Sequence, residues 1–281
     1  MTHRQVLPHP ILQDFIKSLW ASQRHFQPPH QTFELLPDSY IELIFTFGAP
    51  CYIDLDGTWR AVPRCAVIGL LDKPVRFGAD GLVQTIGARF FAWGFWPLFH
   101  NEIPRDPTPL HPLPAAWHAL ADRMAQAVER GDLEVAISEL HYYLLSRVLP
   151  RQGDSTALQE AVRLLQHHHG QVRISTLAAQ QHYSLRQLER KFNQMVGTTP
   201  KALARRMRFE RVRDSLVRDP LANLAALAQE CGYADQAHLD REFKHYSKKT
   251  PTEFAQEMAA LRHWMRESYD VVFLQDPARP L

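Results

Sequence analysis

One stretch of this 281-residue chain decides the fold of its C-terminal part, and it reads Leu224-Ala-Ala-Leu-Ala-Gln-Glu-Cys231-Gly232-Tyr233-Ala-Asp235-Gln-Ala-His-Leu239-Asp-Arg241-Glu-Phe243. The pattern predicts a short helix over Asn223–Cys231, a turn at Gly232-Tyr233 and a second helix that Asp235 caps. Leu239 and Phe243 lie four residues apart, so one face of the second helix is apolar and the opposite face is polar. A short helix, a tight turn and an amphipathic second helix are the anatomy of a helix-turn-helix unit.

The same pattern occurs once more, about fifty residues earlier. Its short helix spans Ile174–Gln181, and Ser184 caps the second helix. A single pattern of this kind is often a false positive, but two in tandem with matching apolar anchors are hard to explain by chance. The alternative is an all-α bundle whose exposed face happens to be polar. The matched positions, at an offset of 50 that becomes 51 after the turn, are Leu177-Ala178 with Leu227-Ala228, Tyr183 with Tyr233, Leu188 with Leu239, Arg190 with Arg241, Phe192 with Phe243 and Pro200 with Pro251.

The polar face of each second helix carries side chains that suit base edges in the DNA major groove, because arginine matches guanine and glutamine or asparagine matches adenine. Alternatives stay open for four of them. Arg186 and Arg190 could bind phosphate or pair with Glu189, and Glu189 could be only an intrahelical partner of Arg186. Arg241 could be tied to a buried carboxylate. The candidate base-reading residues are Arg186, Gln187, Glu189, Arg190 and Asn193 in the first unit and Gln236, His238 and Arg241 in the second.

A second group of side chains suits the DNA phosphates, which position a protein without specifying a sequence. The charge distribution agrees, since residues 1–153 carry a net charge of −2 and residues 154–281 carry +4. An acidic half joined to a basic half is typical of a sensor attached to a polyanion-binding module, although charge runs are often only solvated faces. The candidate phosphate contacts are Ser184, Lys201, Arg205, Lys244, His245, Lys248 and Lys249.

Residues 157–257 resemble the DNA-binding domain of the AraC/XylS family of bacterial transcription regulators. The resemblance rests on Cys231-Gly-Tyr-x-Asp235 and on Arg241-x-Phe-Lys followed by Thr250-Pro251, with Gly197-Thr-Thr-Pro200 in the first unit. It implies about seven helices, a central linker helix over Lys201–Val217 that carries a basic cluster, and two recognition helices in successive major-groove segments. Lys248 departs from the family pattern, because glycine is common there.

The first 112 residues are rich in short β-branched and aromatic runs that end at Gly, Pro or Asp. Strands are expected at 40–47, 51–55, 59–62, 65–69 and 83–91, which favours a sandwich or barrel. The fold class is therefore α+β and multidomain. The expected division is a β-rich sensor domain (1–112), a helical hairpin for dimerisation or coupling (113–150), a linker (151–156), the double helix-turn-helix domain (157–257) and a tail (258–281). Leu35-Leu-Pro-Asp38 and Gly87-Ala-Arg-Phe-Phe91 resemble a poorly characterised N-terminal domain of some AraC-type regulators.

Other features offer weaker candidates. The aromatic run that includes Phe91, Trp93 and Trp96 could line an effector pocket or a dimer face, or could be the core of the sensor domain. His167-His168-His169 cannot converge on one ion, because consecutive helical residues point in different directions, so neither a metal site nor a cofactor is expected. Without a signal peptide, a long apolar run or a cysteine framework, the expected location is the cytoplasm, with no membrane partner.

These features predict a non-enzymatic transcription regulator that binds double-stranded operator DNA and responds to a small-molecule effector. RNA polymerase and a second copy of the chain are possible partners. Two alternatives remain at this point: a constitutive regulator without effector, and a DNA-repair alkyltransferase fused to the DNA-binding module. The latter would need an activated thiolate at Cys51 or Cys65. Whether the protein activates or represses depends on operator position, which the sequence does not contain.

Overall fold

The computed structural model describes residues 2–99, 109–148 and 155–267. The first two ranges form the N-terminal domain and the last forms the C-terminal domain. Besides two single-turn 3-10 helices, the described part of the N-terminal domain contains eight strands and three α-helices. They are β1 (Thr2–Val6), β2 (Ile16–Leu35), β3 (Tyr40–Gly48), β4 (Cys51–Leu55), β5 (Thr58–Ala61), β6 (Cys65–Ile68), β7 (Val75–Phe91), α1 (Trp96–Phe99), β8 (Leu110–Pro112), α2 (His118–Glu129) and α3 (Leu133–Ser146).

The strands form one antiparallel sheet in the order β1-β2-β7-β3-β6-β8. In addition, β4 pairs with the first part of β7, and β5 pairs with the other edge of β4. Ile44 of β3 lies opposite Gly87 but shares a core with Phe77, which lies well along β7. Both residues therefore belong to the core on one face of the sheet. A single sheet is closer to the predicted barrel-like form than to a sandwich of two sheets.

The sequence pattern did not predict the longest strand, β2, or the short strand β1. It predicted only the second half of β7. Pro28 and Pro29 lie inside β2, where proline normally argues against a strand because it cannot donate to the ladder. The structure accommodates them with a shift in pairing between Phe26 and Gln31, so the irregularity that hides the strand in the sequence is a bulge in the sheet.

The helical hairpin α2–α3 covers one face of the sheet. Trp117, at its start, is fully buried among Phe45 of β3 and Phe99 of α1, with ring centroids 6.2 and 5.1 Å away. Successive strand residues point to opposite faces, so Phe45 belongs to this core whereas Ile44 belongs to the other. The hairpin therefore completes the core of the N-terminal domain.

Seven helices follow in the C-terminal domain, as the family resemblance implied. Two separate cores form along the longest helix, one with residues of its first half and one with residues of its second half, and each core contains one helix-turn-helix unit. The last helix crosses the boundary expected between residues 257 and 258, so the helical domain continues to Glu267. The helices are α4 (Ser155–His167), α5 (Ile174–Gln180), α6 (Leu185–Val196), α7 (Pro200–Arg218), α8 (Leu224–Glu230), α9 (Gln236–Ser247) and α10 (Pro251–Glu267).

The expected fold class is confirmed: a strand-rich N-terminal domain with a helical hairpin precedes an all-α domain with two helix-turn-helix units. Most of the expected linker lies outside the described residues. No helix in the described part of the chain is long and apolar enough to cross a membrane.

Candidate DNA-binding surface

The first recognition helix, α6, begins at a capping box. The Ser184 hydroxyl accepts a hydrogen bond from the backbone N–H of Gln187, while the Gln187 side chain accepts one from the backbone N–H of Ser184 at 2.9 Å. Gly197 ends the helix in the left-handed conformation. Both termini are thus satisfied locally, and α6 presents a rigid face.

The apolar side of α6 is fully packed. Leu188 and Phe192 have no exposed surface, and their spacing of four residues puts them on one side of the helix. The opposite side is open to solvent. Four of the five predicted base-reading side chains of this unit lie there with exposed side chains: Arg186, Glu189, Arg190 and Asn193.

Gln187 is also exposed, but its side chain makes hydrogen bonds that the sequence did not predict. Its side-chain oxygen accepts from both the backbone N–H and the hydroxyl of Ser184, each at 2.9 Å. The carboxamide oxygen is therefore committed to the cap, and base reading by Gln187 would require the capping box to open. Ser184 likewise uses its hydroxyl within the cap.

The second recognition helix, α9, is capped by a different residue in the same way. The Asp235 carboxylate accepts from the backbone N–H of His238 at 2.7 Å. Lys248 stands where the first unit has Gly197 and adopts the left-handed conformation, with φ of +62°, which is uncommon for a residue with a Cβ. The departure from glycine noted in the sequence thus leaves the geometry of this cap unchanged.

The buried side of α9 carries a carboxylate, that of Glu242. Glu242 is 4% exposed, and it accepts from the Arg205 side chain at 2.9 Å, from Arg208 at 3.2 Å and from the Tyr233 hydroxyl at 3.2 Å. Desolvation, with the Glu242 carboxylate close by, raises the pKa of the Tyr233 hydroxyl above its usual range. The cluster therefore ties the turn of the second unit to α7.

This cluster answers the question left open for Arg241. A buried carboxylate does exist, but Arg205 and Arg208 hold it, whereas the Arg241 side chain is exposed on α9. Gln236, at the start of the same helix, is also exposed, and the His238 Nε2 atom lies 3.8 Å from Glu242. Arg205, a candidate phosphate contact, forms an ion pair with Glu242 inside the domain.

The remaining candidate phosphate contacts fall into two groups. Lys201, at the start of α7, and Lys244, in the last turn of α9, have exposed side chains. Lys248 and Lys249 have partners, because the Lys248 ammonium donates to the His245 carbonyl at 2.9 Å and Lys249 pairs with Glu257 at 2.7 Å. Lys249 also lies 3.6 Å from Glu34 of the N-terminal domain. Ion pairing with these carboxylates raises the pKa of Lys249 despite partial desolvation.

The basic cluster on α7 mostly faces the protein, which the sequence did not predict. Arg206 is 3% exposed and donates to the Leu71 carbonyl at 3.0 Å and to Asp72. Arg213 donates to the Pro37 carbonyl at 3.3 Å. A run of arginines in a DNA-binding domain suggests a phosphate-binding face, but here the acceptors come from distant loops of the N-terminal domain. The charge pattern therefore marked a domain interface.

A carboxylate on α7 makes a further link across this interface. Glu210 accepts from the backbone N–H of Ser39 at 2.6 Å and from its hydroxyl at 2.8 Å. Desolvation and the nearby Asp38 raise the pKa of Glu210 to about 7, although Arg213 acts against this. On the sheet side, Arg89 pairs with Asp38 and lies 3.1 Å from Glu42, so a polar network runs from β3 and β7 to α7.

Apolar side chains reinforce the same interface. Ala92 and Trp93 are part of the core of the first unit, and Leu36 packs against the core of the second. Trp93 is 2% exposed, stacks on Phe91 at 4.5 Å and donates from its indole N–H to the Asp14 carbonyl at 3.0 Å. Phe91 and Trp93 thus pack at the contact between the two domains, and the possible effector pocket near them stays a prediction. The Trp96 side chain lies outside the described residues.

The cysteines considered for alkyl transfer lie in the sheet. Cys51 and Cys65 are buried and unpaired with each other, and burial raises the pKa of each thiol to about 11. An activated nucleophile needs a lowered thiol pKa, so this environment opposes that chemistry. No group of three or more His, Cys, Asp or Glu side chains in the described ranges is placed to hold a metal ion.

Comparisons with known proteins agree with this anatomy. A family model described as a helix-turn-helix domain matches residues 177–257, and one described as a domain of unknown function matches residues 4–105. No curated protein matches. The resemblance seen in the sequence is confirmed for residues 177–257, which match the helix-turn-helix model and fold into two helix-turn-helix units. The match to a helix-turn-helix domain makes the chain a DNA-binding transcription regulator.

Several solved structures are similar to the chain. An AraC-type regulator from Chromobacterium violaceum is 27% identical over 37% of this chain and 93% of its own, with a TM-score of 0.34. The DNA-binding domain of AdpA in complex with a target DNA is 25% identical over 38% and 96%, with a TM-score of 0.35. ToxT from Vibrio cholerae O395 is 9% identical over 85% and 98%, with a TM-score of 0.48.

Proposed function

We propose that the protein binds an operator through α6 and α9, each reading one half-site, and that its N-terminal domain senses a small molecule and controls this binding through α7. The observation that carries the proposal is the pair of capped helices with open polar faces on one shared linker helix. Recognition helices of this kind enter the major groove with their first residues leading. The two faces differ, so the two half-sites differ in sequence.

The base-reading residues in this proposal are those whose side chains stay free of the protein. Arg186, Arg190 and Arg241 are exposed and suit guanine, Asn193 and Gln236 suit adenine, and Glu189 suits the amino group of cytosine. Lys201 and Lys244 supply phosphate contacts. Arg205 can contact phosphate only if its ion pair with Glu242 breaks when DNA binds. Lys249 can do so only if its ion pairs with Glu257 and Glu34 break.

The route from sensor to DNA in this proposal is the polar and apolar interface on α7. A ligand shifts an equilibrium only if it binds two states unequally. The network Arg89–Asp38–Glu42 continues through Ser39 to Glu210, so a ligand that rearranges the sheet side alters the hold on α7. Contact with RNA polymerase and pairing of two copies through the hairpin α2–α3 remain part of the proposal.

In-vitro selection with the full-length protein at a stated salt concentration tests the function. We expect a site with two base-specific clusters about ten base pairs apart, because successive major-groove segments on one face of DNA are one helical turn apart. Binding without any sequence enrichment across a range of salt concentrations would contradict the proposal.

Arg190→Ala is expected to abolish preference at one position of one cluster. A bidentate arginine–guanine contact discriminates by about 1–3 kcal/mol, so the variant should lose roughly five- to 150-fold there and leave the second cluster intact. Competition binding with single-base variants of the selected site measures this. Arg241→Ala is the matched control and should affect only the other cluster. Lys201→Ala should weaken binding to all sites alike and reduce the salt slope by about one unit.

Docking of the N-terminal domain on α7 is expected to weaken as the pH rises through about 7. Glu210 has its pKa raised in the docked form from 4.5 to about 7, so docking takes up a proton. Its contribution is present below pH 4.5 and is lost as the pH rises through 7. Arg213 and Asp214 face the carboxylate from α7, and Asp38, Ser39 and Tyr40 face it from the N-terminal domain.

The comparison of wild type with Glu210→Gln, by urea unfolding between pH 6 and 8, measures this contribution. The variant keeps a side chain that can accept from Ser39 but cannot titrate, so its stability should fall less over this range. The Glu42 carboxyl, whose pKa burial also raises to about 7, contributes to both proteins and cancels. Equal slopes for the two proteins would show that Glu210 does not couple docking to protons.

A further inference from the structure

An exposed leucine opens the first recognition helix. Leu185 is the first residue of α6, directly after the cap Ser184, and it is 50% exposed. Resting on the proposed function, we propose that Leu185 reads the 5-methyl group of a thymine in the first half-site. It is thus a specificity-determining residue beside the polar side chains already assigned.

The position of Leu185, rather than its exposure, singles it out. Isolated exposed leucines are common on protein surfaces, and Leu221 and Leu261 of the C-terminal domain are also exposed, at 90% and 44%. Neither lies on a recognition helix. Leu185 lies in the first turn of α6, the end of a recognition helix that contacts the base edges in the major groove. An exposed apolar side chain there lowers solubility unless a binding partner covers it.

Helix geometry restricts the position of the leucine. The capping box between Ser184 and Gln187 defines the backbone on both sides of it. Leu188, three residues further on, is completely buried, whereas Glu189, four residues further on, is exposed. Both lie next to Leu185 on the helix surface. The leucine is therefore at the edge of the polar reading face, between the packed and the exposed sides of α6.

The chemistry of the major groove supplies one apolar partner. Among the four base-pair arrangements, only those with thymine present a methyl group there, and apolar side chains contact it. The second unit offers a contrast at the equivalent position, where Gln236 begins α9. Glutamine recognises adenine, so the leading residues of the two units would select different bases.

Replacing thymine by deoxyuridine removes only the methyl group and tests this directly. In the selected site, each thymine of the first half-site is changed in turn, and affinity is measured by fluorescence anisotropy at fixed salt. We expect wild type to lose about fourfold at one position, which corresponds to ~0.8 kcal/mol per buried CH₂ group. Leu185→Ala should bind the two duplexes with nearly equal affinity. Leu221→Ala removes an exposed leucine that lies outside both recognition helices, and it should keep the fourfold difference.

A second variant makes the test independent of any loss of affinity. Leu185→Gln gives α6 the leading residue of α9 and should shift the preference at that position from thymine to adenine. The inference is overturned if the first half-site contains no thymine, if deoxyuridine is tolerated at every position, or if Leu185→Ala keeps the discrimination. If wild type selects no site at all, the proposed function fails instead.

Discussion

Trp93→Ala is expected to lower the free energy of unfolding by about 3–5 kcal/mol, the usual cost of removing a buried tryptophan or phenylalanine side chain. Trp93 is 2% exposed, and it packs in the core of the first helix-turn-helix unit although it belongs to the N-terminal domain. Its loss leaves a cavity against Phe91 and frees the Asp14 carbonyl from the indole N–H. Chemical denaturation of the full-length chain measures the change.

The matched control is Trp59→Ala, because Trp59 lies on the outer strand β5 and is 44% exposed. Its loss should cost much less. Hydrogen exchange adds a readout of location: in Trp93→Ala, the amides of α4 and α6 should lose protection more than those of α9. Equal destabilisation by the two substitutions would show that Trp93 does not anchor the interface.

Glu242→Ala is expected to destabilise the second unit by about 1.5–3 kcal/mol, the range for a hydrogen bond to a charged group. The estimate is below the cost of breaking a fully buried ion pair, because Arg205 is 38% exposed and can turn towards water. Arg208 and the Tyr233 hydroxyl lose their acceptor at the same time. Thermal unfolding measures the effect.

Glu189→Ala serves as the control, since Glu189 is exposed on α6 and surface substitutions usually change stability by less than about 0.5 kcal/mol. Glu242→Gln keeps the shape and one acceptor and should fall between the two. The folded Glu242→Ala protein should also bind DNA with a steeper salt dependence, because Arg205 becomes available to phosphate. An unchanged melting temperature would contradict the structural role of Glu242.

The two helix-turn-helix units could be predicted closely because their signals are local. Caps at Ser184 and Asp235 and apolar pairs such as Leu188 and Phe192 lie within one helix each, so their spacing alone places them. Repetition at a nearly constant offset of 50 to 51 residues then makes coincidence hard to invoke. The same local logic predicted the strand at β3, which is rich in β-branched and aromatic residues.

The domain interface could not be predicted, because its partners are far apart in the chain. Arg206 finds its acceptors at Leu71 and Asp72, and Glu210 finds its donors at Ser39. The sequence of a charged run does not indicate whether its side chains face solvent, DNA or another domain. The strand β2 was missed for a different reason, since Pro28 and Pro29 interrupt its pattern while the bulge beside them keeps the ladder paired elsewhere.

The shared helix α7 has a consequence for how freely this protein could exchange parts with its relatives. Leu36 completes the core of one unit, and Ala92 and Trp93 complete the core of the other. The DNA-binding part is thus not a detachable module. A chimera that joined it to a foreign N-terminal domain would leave two apolar gaps and an unpaired Arg206, unless the new domain carried matching side chains. The two domains are expected to have diverged together rather than by domain shuffling.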